Sequence, residues 1–437
     1  MRNIIIKKIS IISICAVALL AFVQLSCGSK DVKNNRKLLY WSSNNTDEIT
    51  WAREIVSEWN KEHPYDPLQF QPVPEGQSSE EVILAAVVGG TTPDIYSNMW
   101  QGDVELYARA GRLVPLDTLP GFLDFLYKRC DSSVVKEITS TDGHIYQIPW
   151  KINPIMLIYN QNMFSQAGFS NPPRTYSEFL EAAKKIQRID LSNGYVDRWI
   201  GYTEVVVLWW QRLFDFYPLY LAASGGAPLI KDNKVAFDNK YAVETFSFLK
   251  SLFDRKYFPR ERLSARQDPF LGGDIATRFT GPWEIIHAER FKPEGFNYSF
   301  SPLPVPDDFK GNAYTYGDTK NIVVFNTCKN PGLAWEFLKQ MISHNGDLKL
   351  LKITGQIPRR KDLTDDSEFL RYFSERPQMM KFANQAKFVK GPDTCPVLKE
   401  VFDAISQQFE ACVIYGKKSP AEAVHDAAKQ ASILLLQ

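Results

Sequence analysis

The sequence predicts an α/β protein of two layered lobes with a helical C-terminal part. Three observations carry this expectation. Strand and helix patterns alternate from Leu38 to Met99. Two strand patterns, Ile145 to Ile148 and Ile155 to Tyr159, are separated by a break at Pro149-Trp150, as where a chain passes from one layered unit into another. A later strand pattern, Phe296 to Leu303, offers a way back. Lobes joined by two or more crossings can close like a hinge.

Leu38 to Trp41 reads as the first strand, ending in the polar residues Ser42 to Asn45. Ile49, Ala52, Ile55, Val56 and Trp59 then fall on one face of a helix, with Asn45 and Glu48 spaced as a capping pair. Leu68 to Val73 is a second strand. Ser79 caps a helix through Val88 that Gly89-Gly90 stops, and Asp94 to Met99 is a third strand with Trp100 at its end. Asp142-Gly143 turns the chain into the broken strand pair. A short helix covers Gln161 to Ala167, and Thr175-x-x-Glu178 opens another. Tyr241 to Phe253 is amphipathic. Asp268 to Trp283 reads as loop, short strand and turn, and Asn321 to Phe325 as a strand. Asn330-Pro331 and Ser419-Pro420 open later helices with a cap followed by proline.

Composition bounds the function. The chain has 437 residues, 23% of them charged, with 51 basic against 50 acidic. That balance argues for a neutral surface and against nucleic acid as a partner. Arg2, Lys7 and Lys8 precede a 15-residue apolar run, Ile9 to Val23, shorter than the ~20 residues of a membrane span. Residues 1–26 therefore read as a secretory signal peptide. Small residues flank Cys27 directly after this run, a pattern that resembles a bacterial lipobox although Gln24 stands where leucine is preferred. That resemblance implies lipidation of Cys27, with residues 27–37 as a tether. The mature chain would then hold 48 basic and 50 acidic residues. Beyond Cys27 lie Cys130, Cys328, Cys395 and Cys412, without a CxxC pair. The five histidines are scattered, which speaks against structural zinc. No nucleophile elbow, P-loop, GxGxxG or HExxH is present, and no cofactor is expected.

Six short motifs stand in order behind the signal segment. They are YWSSNN after the first strand, AAVVGGTTPD (85–94), GRLVPL (111–116), the stretch from Tyr146 to Glu178, GGDIA with GPW (272–283), and GQIPR (355–359). Together, over residues 38 to 437, they resemble the family 1 extracellular solute-binding proteins of ABC importers, the sugar-binding group related to maltose-binding protein. The resemblance implies a type II periplasmic-binding-protein-like fold with a ligand cleft between the lobes, and no catalysis. Residues 38–150 plus 298–343 would form the first lobe, and 154–297 plus 346–437 the second. Crossings fall at 150–154, 296–303 and 343–347. The implied partners are a carbohydrate, ABC permease subunits, and the membrane through the lipid on Cys27. The protein is expected to act as a monomer outside the cytoplasm.

A sugar needs flat aromatic surfaces for its C–H faces and fixed polar groups for its hydroxyls. Trp41, Trp100, Trp150 and Trp283 sit at strand ends or turns, where α/β clefts collect ligands. The family pattern carries over to these four and to Ser42, Tyr316, Gly317 and Asp318. Asp47, Gln77 and Glu284 are further polar candidates. Of Trp209 and Trp210, adjacent and ~100° apart if helical, at most one should face the cleft, and Trp210 is taken. Core burial competes with the cleft assignment for Trp41 and Trp283, and helix-dipole compensation for Asp47. Asp94 reads as a turn residue, Arg359 and Arg360 as solvated surface. Three other readings compete: an anchored glycoside hydrolase with paired carboxylates such as Glu284 and Asp318, a SusD-like glycan-binding lipoprotein, and a binding protein for a non-sugar solute.

Overall fold

The computed structural model describes residues 37–75, 78–189, 192, 195–263 and 268–436. The signal segment, Cys27 and Gln77 lie outside these residues. The first strand, β1 (Leu38–Ser42), pairs in parallel with β2 (Leu68–Pro72) and β3 (Ile95–Trp100). Between β1 and β2 runs α1 (Thr46–Glu62), and between β2 and β3 runs α2 (Ser79–Gly89). Asn45 caps α1, its Oδ1 accepting the N–H groups of Asp47 and Glu48 at 3.0 and 3.1 Å. The cap of α2 is Ser78, one residue before the expected Ser79.

The chain leaves this sheet through β4 (Ile148–Ile152), which runs straight through Pro149-Trp150. The expected break is absent for a physical reason. The pairing of β4 with its neighbour shifts register beside Asn321↔Pro149, and such an irregularity accommodates a residue without an N–H. Asn153 to Ile155 form the crossing, and β5 (Met156–Asn160) opens the second sheet.

That second sheet has three strands, with β5 in the centre between β6 (Thr277–Thr280) and β7 (Tyr298–Ser301), both antiparallel to it. Tyr298↔Asn160 and Ser301↔Leu157 are in register. β7 therefore belongs to the second lobe, and the return expected at 296–303 comes later, between Ser301 and β8 (Lys320–Val324). β8 lies antiparallel to both β3 and β4 in the first sheet. The third passage is also later than the expected 343–347. The helix His344–Thr354 follows without leaving the first lobe, and β9 (Ile357–Pro358) pairs with the edge of β4. The first sheet thus reads β9-β4-β8-β3-β1-β2. Asp347 on that helix is locked to the first lobe by Arg129, both side chains buried.

The crossings lie side by side. The Asn153 N–H donates to the Gly317 carbonyl at 2.6 Å and the Ile155 N–H to the Tyr316 carbonyl at 2.9 Å. Thr315-Tyr316 in turn pairs with Val389-Lys390 from the C-terminal part. Between Ser367 and Leu434 that part is otherwise mostly helical and includes Leu398–Phe409, which continues as a π-helical turn over Glu410–Ile414. Cys395 precedes this helix and Cys412 lies in its π turn. Cys130, Cys395 and Cys412 are buried free thiols, and Cys328 is buried too.

Candidate functional site

A cavity of about 550 Å³ opens between the two lobes, within the size range of small-ligand sites. A larger groove, about 1270 Å³, lies on the flank of the second lobe around Phe169, Phe300 and Phe388. Of these two, the first receives side chains from both lobes.

Its second-lobe wall is the helix Trp283–Phe291, which follows β6. Trp283, Ile286, Arg290 and Phe291 recur at helical spacing and all line the cavity. Trp283 is 42% exposed and Phe291 59%, large apolar surfaces facing open space rather than core. The Trp283 ring folds over Gly281. A Cβ there would meet the indole at 2.2 Å, so glycine is what allows the ring to lie on the backbone. Phe214 braces the ring edge-on, with centroids 6.2 Å apart.

The first-lobe wall is polar. Ser43, Asn45 and Asp47 come from the turn after β1 and the start of α1, Asn98 from β3, and Asp318 and Lys320 from the start of β8. Lys151 and Asn153 come from β4 and the crossing. A strand alternates sides every residue, so Lys151 and Asn153 share the cavity side while Trp150 and Ile152 turn into apolar clusters. Asn153 is buried, and its Oδ1 has no partner among the described residues.

Buried charges underlie this wall. Glu48 does not reach back to cap its helix. It turns inward, where it accepts from the Lys151 ammonium, from Ser42 Oγ at 2.5 Å, from the Ser43 N–H at 3.2 Å and from Gln356 Nε2 at 3.1 Å. Burial alone would raise the Glu48 carboxyl, but Lys151 and these donors outweigh it and hold it below its ordinary value. Burial lowers the Lys151 ammonium, with Glu48 opposing. Lys320 bonds Glu80 at 3.1 Å and lies 3.8 Å from Asp318. Burial would lower this ammonium too, yet Asp318 and Glu80 hold it above its ordinary value.

The structure redistributes the expected site residues. Trp283, Asp47 and Asp318 line the cavity. Ser42 stands one step behind it, holding Glu48. Trp41 packs in the apolar cluster beneath β1. Trp150 is 0% exposed and lies against Trp51, centroids 5.3 Å apart, so it cannot present a face to a ligand. Trp100 is buried against Trp209 at 5.0 Å, its Nε1 donating to the Tyr316 hydroxyl at 3.0 Å. Tyr316 is equally buried. Gly317 serves packing, since a Cβ there would meet Val389 at 2.2 Å. Trp210 is exposed but lines none of this cavity. Glu284 is buried beneath the wall, bonded by Arg278 and by Thr280 Oγ1 at 3.3 Å. Arg359, read as solvated, is buried and paired with Glu137. Lys151, Asn153, Glu48, Lys320 and Arg290 were missed. The alternation Trp150-Lys151-Ile152-Asn153 was the available signal for two of them.

Asp268, Glu284 and His287 bring potential metal-ligand atoms within 4.8 Å of one another. Arg278 already bonds both carboxylates of this group, at 2.9 Å to Asp268 and 3.3 Å to Glu284, which opposes a cation there.

Two α/β lobes joined by adjacent crossings, with a cavity between them, define a type II periplasmic sugar-binding-protein fold. The chain belongs to the family of bacterial extracellular solute-binding proteins, whose pattern matches residues 42–346. It is similar to a maltotriose-binding protein of Pyrococcus abyssi, 24% identical over 79% of this chain and 70% of the relative. It is also similar to an sn-glycerol-3-phosphate-binding periplasmic protein of Brucella melitensis biotype 1, 24% identical over 94% of this chain and 96% of the relative. Among solved structures, the cyclic alpha-maltosyl-1,6-maltose binding protein of Arthrobacter globiformis superposes with a TM-score of 0.75 at 21% identity, over 91% of this chain and 98% of that one. Among the described residues, no helix is long and apolar enough to cross a membrane.

Proposed function

We propose that this protein is the substrate-binding component of an ABC importer that captures a mono- or oligosaccharide between its lobes. The observation that carries the reading is the division of the cavity. One wall offers Trp283 and Phe291 to C–H faces, and the other offers Asn98, Lys151, Asn153 and Asp318 to hydroxyls. Sugar-binding relatives and structural neighbours support it.

A sugar touching both walls favours the closed arrangement by its differential contacts. The paired segments 153–155 and 315–319 are the proposed hinge. Closure would present a joint surface of both lobes to a permease, and a lipid on Cys27 would keep the protein beside it. Binding proceeds without chemistry: Glu284 is committed to Arg278 and Thr280, and Asp318 flanks Lys320.

The test is a thermal-shift screen against maltotriose, mannotriose, diacetylchitobiose and their monosaccharides. A ligand that binds only the native state at 100 times its Kd adds about 2.7 kcal/mol, which raises the midpoint by several degrees. Hydrolysis of any of these sugars on incubation would refute a pure binding role.

A further inference from the structure

The two relatives above are equally identical to this chain, yet their named ligands differ in charge. Maltotriose is neutral, whereas a phosphate monoester carries about −1.5 to −2 at pH 7. The floor of the cavity distinguishes the two chemistries. It holds two ammonium groups, Lys151 and Lys320, which alone would draw an anion. Neither stands alone. Glu48 pairs with Lys151, and Asp318 and Glu80 flank Lys320. Three cations (Lys151, Lys320, Arg290) and three carboxylates (Asp47, Glu48, Asp318) line the cavity, so its formal charge is zero with His287 neutral.

We infer that Glu48 and Asp318 are specificity-determining counter-charges, cancelling Lys151 and Lys320 so that the cavity accepts uncharged, hydroxyl-bearing ligands and rejects phosphorylated ones. This rests on the carbohydrate reading of the same cavity. Glu48 accepts from four protein groups and has no capacity left for a ligand, so it acts through Lys151 as a positioning residue. The Lys151 ammonium has three donors, and among the described residues only Glu48 takes one. Asn153 lines the same cavity, its Oδ1 buried and without a partner among the described residues. A sugar hydroxyl can accept from a free Lys151 donor without bringing charge into this balanced floor. A phosphate monoester would bring its charge of about −1.5 to −2 to a floor whose cations are already paired.

The test compares the purified protein with Glu48→Gln and Asp318→Asn, each titrated with the sugar panel, sn-glycerol-3-phosphate and inorganic phosphate. Asp318 has a positive φ of 33°, which asparagine tolerates, and its side chain is partly exposed. This variant therefore keeps the test alive if Glu48→Gln fails to fold. The expected result is a gain of at least tenfold in affinity for sn-glycerol-3-phosphate in each folded variant. The gain should fall with rising salt and be abolished in Glu48→Gln/Lys151→Met, which restores a neutral floor. Wild-type protein that binds sn-glycerol-3-phosphate more tightly than any sugar overturns the inference, as do variants that still refuse both anions. Failure of the carbohydrate reading looks different: wild type then binds no sugar, while inorganic phosphate still reports whether the variants have gained an anion site.

Discussion

Replacing Trp283 by alanine should weaken sugar binding about ten- to eighty-fold while leaving the protein folded. A tryptophan side chain offers up to about 250 Å² of surface. With 42% of Trp283 exposed, roughly 100 Å² faces the cavity. At ~25 cal/mol per Å², covering all of it contributes about 2.6 kcal/mol, and covering one ring face about half of that. Those values convert to the stated range of Kd at 1.4 kcal/mol per tenfold. Loss of this exposed ring should cost less than about 1 kcal/mol of stability, because among the described residues it rests on the Gly281 backbone and meets one aromatic ring, the edge of Phe214. Titration calorimetry with the best sugar of the panel, alongside the unliganded thermal midpoint, separates the two effects. An affinity unchanged within twofold would refute the assignment of Trp283 to the ligand. A collapsed midpoint would instead make the ring a packing residue.

Trp150 should behave in the opposite way: Trp150→Ala removes a fully buried indole and costs ~3–5 kcal/mol of stability in denaturant titrations, while Trp150→Phe, if folded, keeps sugar affinity within a few-fold. Arg129→Ala strands the buried Asp347 carboxylate, still bonded by Arg360, and should cost up to ~3–5 kcal/mol, whereas Arg129→Met with Asp347→Leu should recover part of that loss. Glu48 titrates below its ordinary value in the folded state, so its stabilisation is present above the unfolded carboxyl pKa and lost as pH falls through the folded value. The acid limb of the wild-type stability curve should therefore become shallower in Glu48→Gln. Asp393 has the opposite sign. Burial, with Glu137 nearby, pushes it up to about 7 despite N–H bonds from Leu229 and Ile230. Its contribution falls as pH rises from about 4 through 7, so Asp393→Asn, which keeps an acceptor for both N–H groups, should lose less stability between pH 5 and 8.

Local pattern showed most of the elements, because caps and periodicity are short-range properties. Asn45, Thr175, Asn330 and Ser419 all cap the helices expected of them. The lobe boundaries were less legible. β7 looks like any short strand, and only its hydrogen bonds to β5 assign it to the second lobe. A cavity-lining aromatic was legible at Trp283, where Gly281 makes room for a ring outside the core. It was not legible at Trp41, Trp100 or Trp150, since a tryptophan at a strand end looks the same whether its neighbours later cover it or leave it open. Trp51 covers Trp150, and Trp209 covers Trp100, from 99 and 109 residues away in sequence. The polar wall was hidden for a related reason: Glu48 looked like a capping residue until Lys151, 103 residues on, drew it inward.

The most direct test is a crystal structure of the protein with the sugar that gives the largest thermal shift. The account predicts closed lobes, a pyranose face stacked on Trp283, and a hydroxyl accepting from Lys151 Nζ. A sugar bound in the flank groove around Phe169 and Phe388, or one that leaves Trp283 uncovered, would contradict it.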